Sequence, residues 1–325
     1  MAEEKSQLKI VVLDAFPTDV GDMDWSGLQE LGEVTLYPTT PPEQVAERIA
    51  DADIVYTNKV KLPAAAFEAA PKLKLVSMLA TGYDGIDLEA ARKAGVTVCN
   101  VPAYSTASTA QTTIALLLEL TQHVGAHNAS VKAGEWTKSP AFSYWKFPLA
   151  ELDGKTLLLV GTGSIGTRVG IICEALGMKV LSAQLPGRAP KSESRYPRLT
   201  LDEALPMADV VSLHCPATPE TRGMVDSAFL AKMKPTAFLV NTARGVVVNE
   251  ADAAQALQDG KLAGFAADVL SVEPPPADNP LLSAPRCIIT PHIAWGTTES
   301  RTRLMEANVK NLKAFMAGTP QNVVS

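Results

Sequence analysis

Ten residues, Leu157 to Gly166, constrain this 325-residue chain more than any others: they read LLLVGTGSIG. Four consecutive aliphatic residues predict a short strand buried on both faces, and they run directly into a G-x-G-x-x-G turn. Ile171, Ile172, Ala175 and Leu176 follow at helical spacing, so strand, glycine turn and helix arrive in the order of a dinucleotide-binding crossover. Gly161 permits the tight turn, Gly163 lets backbone approach a pyrophosphate, and Gly166 lets the helix pack against the strand. The N–H groups and dipole at the helix start favour a bound anion, which makes Ser164 and Ile165 candidate cofactor contacts beside the three glycines.

The segments before this turn alternate in type. LKIVVLD, VTLY, DIVYTN, LKLVSML and Val96-Thr97-Val98 read as short strands, with helix-compatible stretches at Pro42 to Ala50 and Pro63 to Ala70. The fourth strand leads into Ala80-Thr81-Gly82-Tyr83-Asp84-Gly85, a loop at a carboxyl strand end where open sheets bind ligands. Ala80, Thr81 and Gly82 are therefore candidate substrate contacts. Asn100-Val101-Pro102 marks a crossover into a long helix, with Ser108 and Gln111 expected as a capping box and Ile114, Leu117, Leu118 and Thr121 as its buried stripe. Trp136 to Pro148, rich in aromatics and prolines, reads as an ordered excursion or a subunit contact.

After the glycine turn, MKVLSA, DVVSLH, TAFLVNTA, GFAADV and CIIT bring the second set to six strands. A last amphipathic helix carries Met305, Val309, Leu312 and Met316 on one face, ends at Gly318, and is expected to return to the first domain. The fold class is thus α/β, with two Rossmann-like doubly wound parallel-sheet domains. The substrate domain is discontinuous, over residues 1–102 and 293–325, and the dinucleotide-binding domain covers 103–292.

A net charge of −6 argues against a nucleic-acid partner or an anionic membrane surface. Cys99, Cys173, Cys215 and Cys287 are far apart, no apolar run is long enough to span a bilayer, and the opening MAEEKSQ is polar. A reducing cytoplasm is the expected location. His123 and His127 with Glu119 share helical spacing but lack the H-E-x-x-H pattern, so no metal site is expected there.

Three polar residues lie after strands of the second set: Arg244 in NTARG, Glu273 in DVLSVEPPP and His292 in TPHIAW. Delivered to one sheet edge, they form a candidate catalytic constellation. An NAD-type site places an acid about 20 residues beyond the first glycine. Gln184 stands there instead, followed by Arg188, with Lys191 and Arg195 nearby, a set that tolerates or pairs with a 2′-phosphate. The cofactor is expected to be NAD(P)H, with NADPH slightly favoured.

The ordered set ATGYDGID, NVPAYST, GTGSIG, HCPAT, NTARG, DVLSVEPP and TPHIAW resembles the D-isomer-specific 2-hydroxyacid dehydrogenases over nearly the whole chain, most closely the glycerate dehydrogenase or hydroxypyruvate reductase branch. The resemblance implies hydride exchange between nicotinamide and C2 of a small 2-oxo or 2-hydroxy acid, hydroxypyruvate or glyoxylate, in a homodimer. It implies that Arg244 binds the substrate carboxylate, that His292 is the acid/base, and that Glu273 is its carboxylate partner. It further implies cofactor contacts from His214, Cys215, Pro216, Thr221, Thr242, Ala243 and Asp268. The rival reading on the same fold is a dinucleotide-sensing, partner-binding protein like the related transcriptional corepressors.

Overall fold

The computed structural model describes residues 7–188 and 194–325. The chain divides into two compact units, Met1–Ser105 with Gly296–Ser325, and Thr106–Trp295. In the first unit, strands β1 (Leu8–Val12), β2 (Gly32–Leu36), β3 (Ile54–Thr57), β4 (Leu75–Met78) and β5 (Thr97–Cys99) form a sheet of order β2-β1-β3-β4-β5. In the second, β6 (Thr156–Val160), β7 (Lys179–Ala183), β8 (Arg198–Leu199), β9 (Val210–Leu213), β10 (Phe238–Asn241), β11 (Gly264–Ala267) and β12 (Cys287–Ile289) form the order β12-β11-β10-β9-β6-β7-β8. All strand pairs in both sheets are parallel. Both are doubly wound, and the second reverses direction between β6 and β9, the place where such sheets open a ligand crevice. The seventh strand of the second sheet, β8, is two residues long and has no periodicity by which to be recognised.

The aliphatic run at β6 works as a two-sided wedge. Leu158 and Val160 enter one apolar cluster with Val211, Leu239 and Phe265, while Leu157 and Leu159 enter another with Val210, Val240 and Ala266. Alternate residues of a strand point to opposite faces, so a continuous apolar run is what a sheet covered on both sides requires. All four leucine and valine side chains from 157 to 160 are 0% exposed.

Two helices depart from expectation. The long helix begins at Thr106, which places Ser108 inside its first turn; Ser108 is buried and donates its hydroxyl to the Ala294 carbonyl instead of capping with Gln111. Leu118 is 37% exposed, and the buried face runs through Thr113, Ile114, Leu117, Leu120 and Thr121. The final helix, Thr298–Met316, belongs to the first unit, but its buried face is Leu304, Met305, Asn308, Asn311 and Leu312, with Met316 exposed. The asparagines explain the shift: Asn308 Oδ1 accepts from Ser77 Oγ on β4 at 2.7 Å, and Asn311 Nδ2 donates to the Asn100 carbonyl at 3.0 Å. Polar side chains are buried here because each has a partner across the interface with the sheet. Among the described residues, no helix is long and apolar enough to cross a membrane.

At the end of β1, the buried Asp14 carboxylate grips the loop after β3. It accepts from the backbone N–H groups of Asn58 (2.7 Å), Lys59 (2.6 Å) and Val60 (3.1 Å). Burial pushes the Asp14 carboxyl above its ordinary range, against the three backbone hydrogen bonds that favour the charged form. Asp14→Ala leaves three N–H groups without their acceptor and is expected to lower stability by about 3 kcal/mol or more. Urea unfolding checks this, and an unchanged midpoint would contradict it.

Candidate active site

The glycine turn is built from contacts that admit no side chain at two positions. Gly161 has φ +109°, and a Cβ on it would lie 2.6 Å from the His214 carbonyl oxygen; one on Gly166 would lie 2.1 Å from the Gly161 carbonyl oxygen. Gly163 differs, because a Cβ there meets nothing within 4 Å. Nothing in the protein needs a glycine at 163, so the open space above it fits a group that must reach the backbone, as a pyrophosphate does. Gly163 caps the helix Ser164–Ala175 without any side-chain hydrogen bond, which leaves the first-turn N–H groups of Ser164, Ile165 and Gly166 to an anion.

A cavity of about 190 Å³ extends from this turn, past Thr162, His214 and Pro216, to the end of β7 at Ala183, Gln184 and Leu185. Arg188 and Arg198 also line it. Arg198 was not anticipated; only its place next to β7 in the folded sheet reveals it. Arg195 does not join the cavity lining, being held by Glu174 at 2.8 Å and by the Tyr196 hydroxyl at 3.2 Å. Lys191 lies outside the described residues. Cys215 packs in the apolar core, and Thr221 braces the turn by donating to the Pro216 carbonyl at 2.6 Å. Thr242 shares a hydrogen bond with Thr113 at 2.8 Å, beside the buried Ala243.

The chemistry-bearing residues follow three neighbouring strands, β10, β11 and β12. Asn241 shapes the first turn: its Oδ1 accepts from Ala243 N and its Nδ2 donates to the Arg244 carbonyl, each at 3.0 Å. Arg244 Nη1 donates to the Ala243 carbonyl at 2.8 Å. Gly245 then passes so close to the next loop that a Cβ would lie 1.9 Å from the Leu270 carbonyl carbon. That loop carries Glu273, whose Oε1 accepts from Leu270 N at 3.0 Å and whose Oε2 accepts from His292 Nδ1 at 2.6 Å. The ring nitrogen left to face a reactant is Nε2.

His292 sits at φ +54°, a left-handed conformation that costs a non-glycine residue energy and persists only where its surroundings impose it. Asp268 imposes it. Its carbonyl accepts from His292 N at 2.8 Å, and its carboxylate accepts from Thr290 Oγ1 (2.6 Å), Ile293 N (2.9 Å) and Ala294 N (2.8 Å). Burial raises the Asp268 carboxyl pKa, while those hydrogen bonds and the nearby His292 oppose the rise. This grip on the His292 loop was not legible from Asp268 in the sequence.

In the first unit, Thr81 hydroxyl donates to the Val101 carbonyl at 2.7 Å and Asn100 Nδ2 donates to the Thr81 carbonyl at 2.7 Å. These bonds fix the loop after β4, with Ala80 buried and Gly82 half-buried. In the second unit, Glu119 accepts from Gly125 N at 3.1 Å, and His127 joins the His123 carbonyl to Lys146 N through its two ring nitrogens.

Residues 114–294 match the model of the D-isomer specific 2-hydroxyacid dehydrogenase NAD-binding domain. The chain belongs to the D-isomer-specific 2-hydroxyacid dehydrogenases. It is 47% identical to the hydroxypyruvate reductase of Blautia hydrogenotrophica, over 98% of this chain and 100% of the relative. It is 37% identical to the glycerate dehydrogenase of Methylorubrum extorquens, over 97% of this chain and 98% of the relative. Among solved structures, an NADPH-dependent glyoxylate/hydroxypyruvate reductase from Sinorhizobium meliloti, in complex with NADP and malonate, superposes with a TM-score of 0.84. That pair is 28% identical and covers 98% of this chain and 97% of the other. The Rossmann dehydrogenase fold and a nicotinamide-binding domain are thus properties of this chain.

His214 makes one consequence measurable. Its Nε2 pairs with Ser212 Oγ at 2.8 Å, and desolvation pushes its imidazole down to about 4. The unfolded chain takes up this proton near pH 6.5 and the folded chain only near 4, so stability present above 6.5 is lost as the pH falls through that window. The loss reaches up to about 3 kcal/mol by pH 4. His214→Asn is expected to flatten this part of the stability-pH curve in urea unfolding, and an identical curve for the variant would remove His214 as its source.

Proposed function

We propose that this dehydrogenase reduces a short 2-oxo acid, hydroxypyruvate to D-glycerate and also glyoxylate to glycolate, with NADPH favoured over NADH. The observation that carries the reading is the 2.6 Å pair between His292 Nδ1 and Glu273 Oε2, with Arg244 following β10 at the same carboxyl edge of the sheet. When bound, the reduced nicotinamide supplies the hydride that adds to C2. Arg244 binds the substrate carboxylate with its planar, permanently charged fork. His292 Nε2–H hands its proton to the carbonyl oxygen, and Glu273 holds the ring's orientation and offsets the imidazolium charge. The names of the relatives support hydroxypyruvate and glyoxylate as substrates.

The glycine turn holds the pyrophosphate, and Gln184 takes the place of the acid that would reject a 2′-phosphate, with Arg188 in the same cavity. The four cysteines are free thiols, which suits a reducing cytoplasm. Purified protein should oxidise NADPH in the presence of hydroxypyruvate, and His292→Asn should lower kcat on the order of a thousandfold. Loss of reduced-cofactor absorbance reads both, and wild-type turnover surviving in the variant would end the acid/base role.

The excursion after the helix Val124–Lys132 supports a homodimer. Phe142 is 90% exposed and Trp145 69%, yet the segment is ordered by Trp136 Nε1 on the Phe142 carbonyl and by Lys146 Nζ on Glu135. Exposed aromatics on a fixed scaffold suit a protein partner, here a second copy. Sedimentation velocity should give a dimer for the wild type and a monomer for Phe142→Asp with Trp145→Asp. A dimer that survives both changes would place the contact elsewhere.

A further inference from the structure

We infer that Arg198, on the short strand β8, is a second cation for the cofactor's 2′-phosphate, acting with Arg188. The inference rests on the reading of this cavity as the adenosine end of the dinucleotide site.

The register places the side chain at the right strand end. Ser182 pairs with Arg198 and Ala183 with Leu199, and Gln184 N donates to the Leu199 carbonyl at 2.8 Å. The residue that replaces the expected acid is thereby locked beside Arg198, and Gln184, Arg188 and Arg198 all line the one cavity. They reach it from different segments, Arg188 from the turn after β7 and Arg198 from the neighbouring strand.

Charge balance calls for both guanidinium groups. A phosphate monoester carries roughly −1.5 to −2 at neutral pH, which a single guanidinium leaves partly unmatched. Arg188 is also shared, because its charge already acts on the Glu220 carboxylate, whose pKa is lowered first by the Thr218 hydroxyl and also by Arg188. Glu220 reaches the turn itself, since a Cβ on Gly187 would lie 2.8 Å from Glu220 Cγ. A dianion bound there meets this acid as well as Arg188, and Arg198 adds a second positive charge from the neighbouring strand. Two planar forks also define the phosphate's orientation more tightly than one.

The test is calorimetric titration of the full-length protein with adenosine 2′,5′-bisphosphate and with 5′-AMP. The wild type is expected to prefer the bisphosphate. Arg198→Gln and Arg188→Gln should each cut that preference by about tenfold, and Arg198→Lys, which keeps the charge without the fork, should restore part of it. A wild type with no preference overturns the NADPH reading itself. A preference retained in full by Arg198→Gln, in a wild type that has one, overturns the role of Arg198 alone. Should Arg198→Gln fail to fold, Arg198→Leu and Arg198→Lys carry the same comparison, and equal preferences in the two would exclude a charge effect.

Discussion

The tightest constraint in the dinucleotide-binding unit is the contact of backbone on backbone where β6 and β9 diverge. Gly161 and Gly166 let the turn, the helix start and the His214 carbonyl meet at distances no side chain would permit. Because the sheet reverses direction between these two strands, that contact sets where the crevice opens and aims the first-turn N–H groups into it. His214 also lies beside this turn, where desolvation disfavours the charged form of its imidazole.

A second device recurs independently in each unit, a buried aspartate after a strand that gathers backbone N–H groups. Asp14 does this for the loop after β3, and Asp268 for the loop after β12. Desolvation opposes the charged form in both cases, and the gathered donors offset it, so each carboxylate ties its own stability to the shape of a loop. At Asp268 the result is chemical. The loop is held with His292 in a left-handed backbone conformation, and from there Nδ1 reaches Glu273. Strain at one residue is maintained by several ordinary hydrogen bonds around it.

The strands were legible because a two-sided parallel sheet writes itself as short, unbroken aliphatic runs, as at Leu157 to Val160. Arg244, Glu273 and His292 stood out as candidates because each follows such a run, and the fold brings Glu273 and His292 into hydrogen-bond contact. What could not be read depends on partners distant in sequence. Ser108 looked like a helix cap, but the Ala294 carbonyl takes its hydroxyl. The buried face of the last helix looked apolar through Met316, but Asn308 and Asn311 turn it toward Ser77 and Asn100. Arg195 and Arg198 are three residues apart with similar neighbours, and only the fold sends one to Glu174 and the other to the cavity.

The two ends of the candidate site differ in what supports them. At the end that carries His292, Gly245 lies against Leu270, Asp268 holds Ile293 and Ala294, and Glu273 holds His292, so a change at one residue disturbs the others. At the cavity beyond β7, Gln184 and Arg188 are exposed, and Arg198 stands on a two-residue strand at the sheet's edge. Few core contacts depend on these side chains, whereas their charges act directly on whatever lies in the cavity. Exchange of an acid for glutamine at such a position alters the electrostatic match to an anion without altering the packing that positions Arg244, Glu273 and His292. The cavity beside Gln184 and the group formed by Arg244, Glu273 and His292 are thus physically separable in this fold, because they are carried by strands on opposite sides of the switch between β6 and β9.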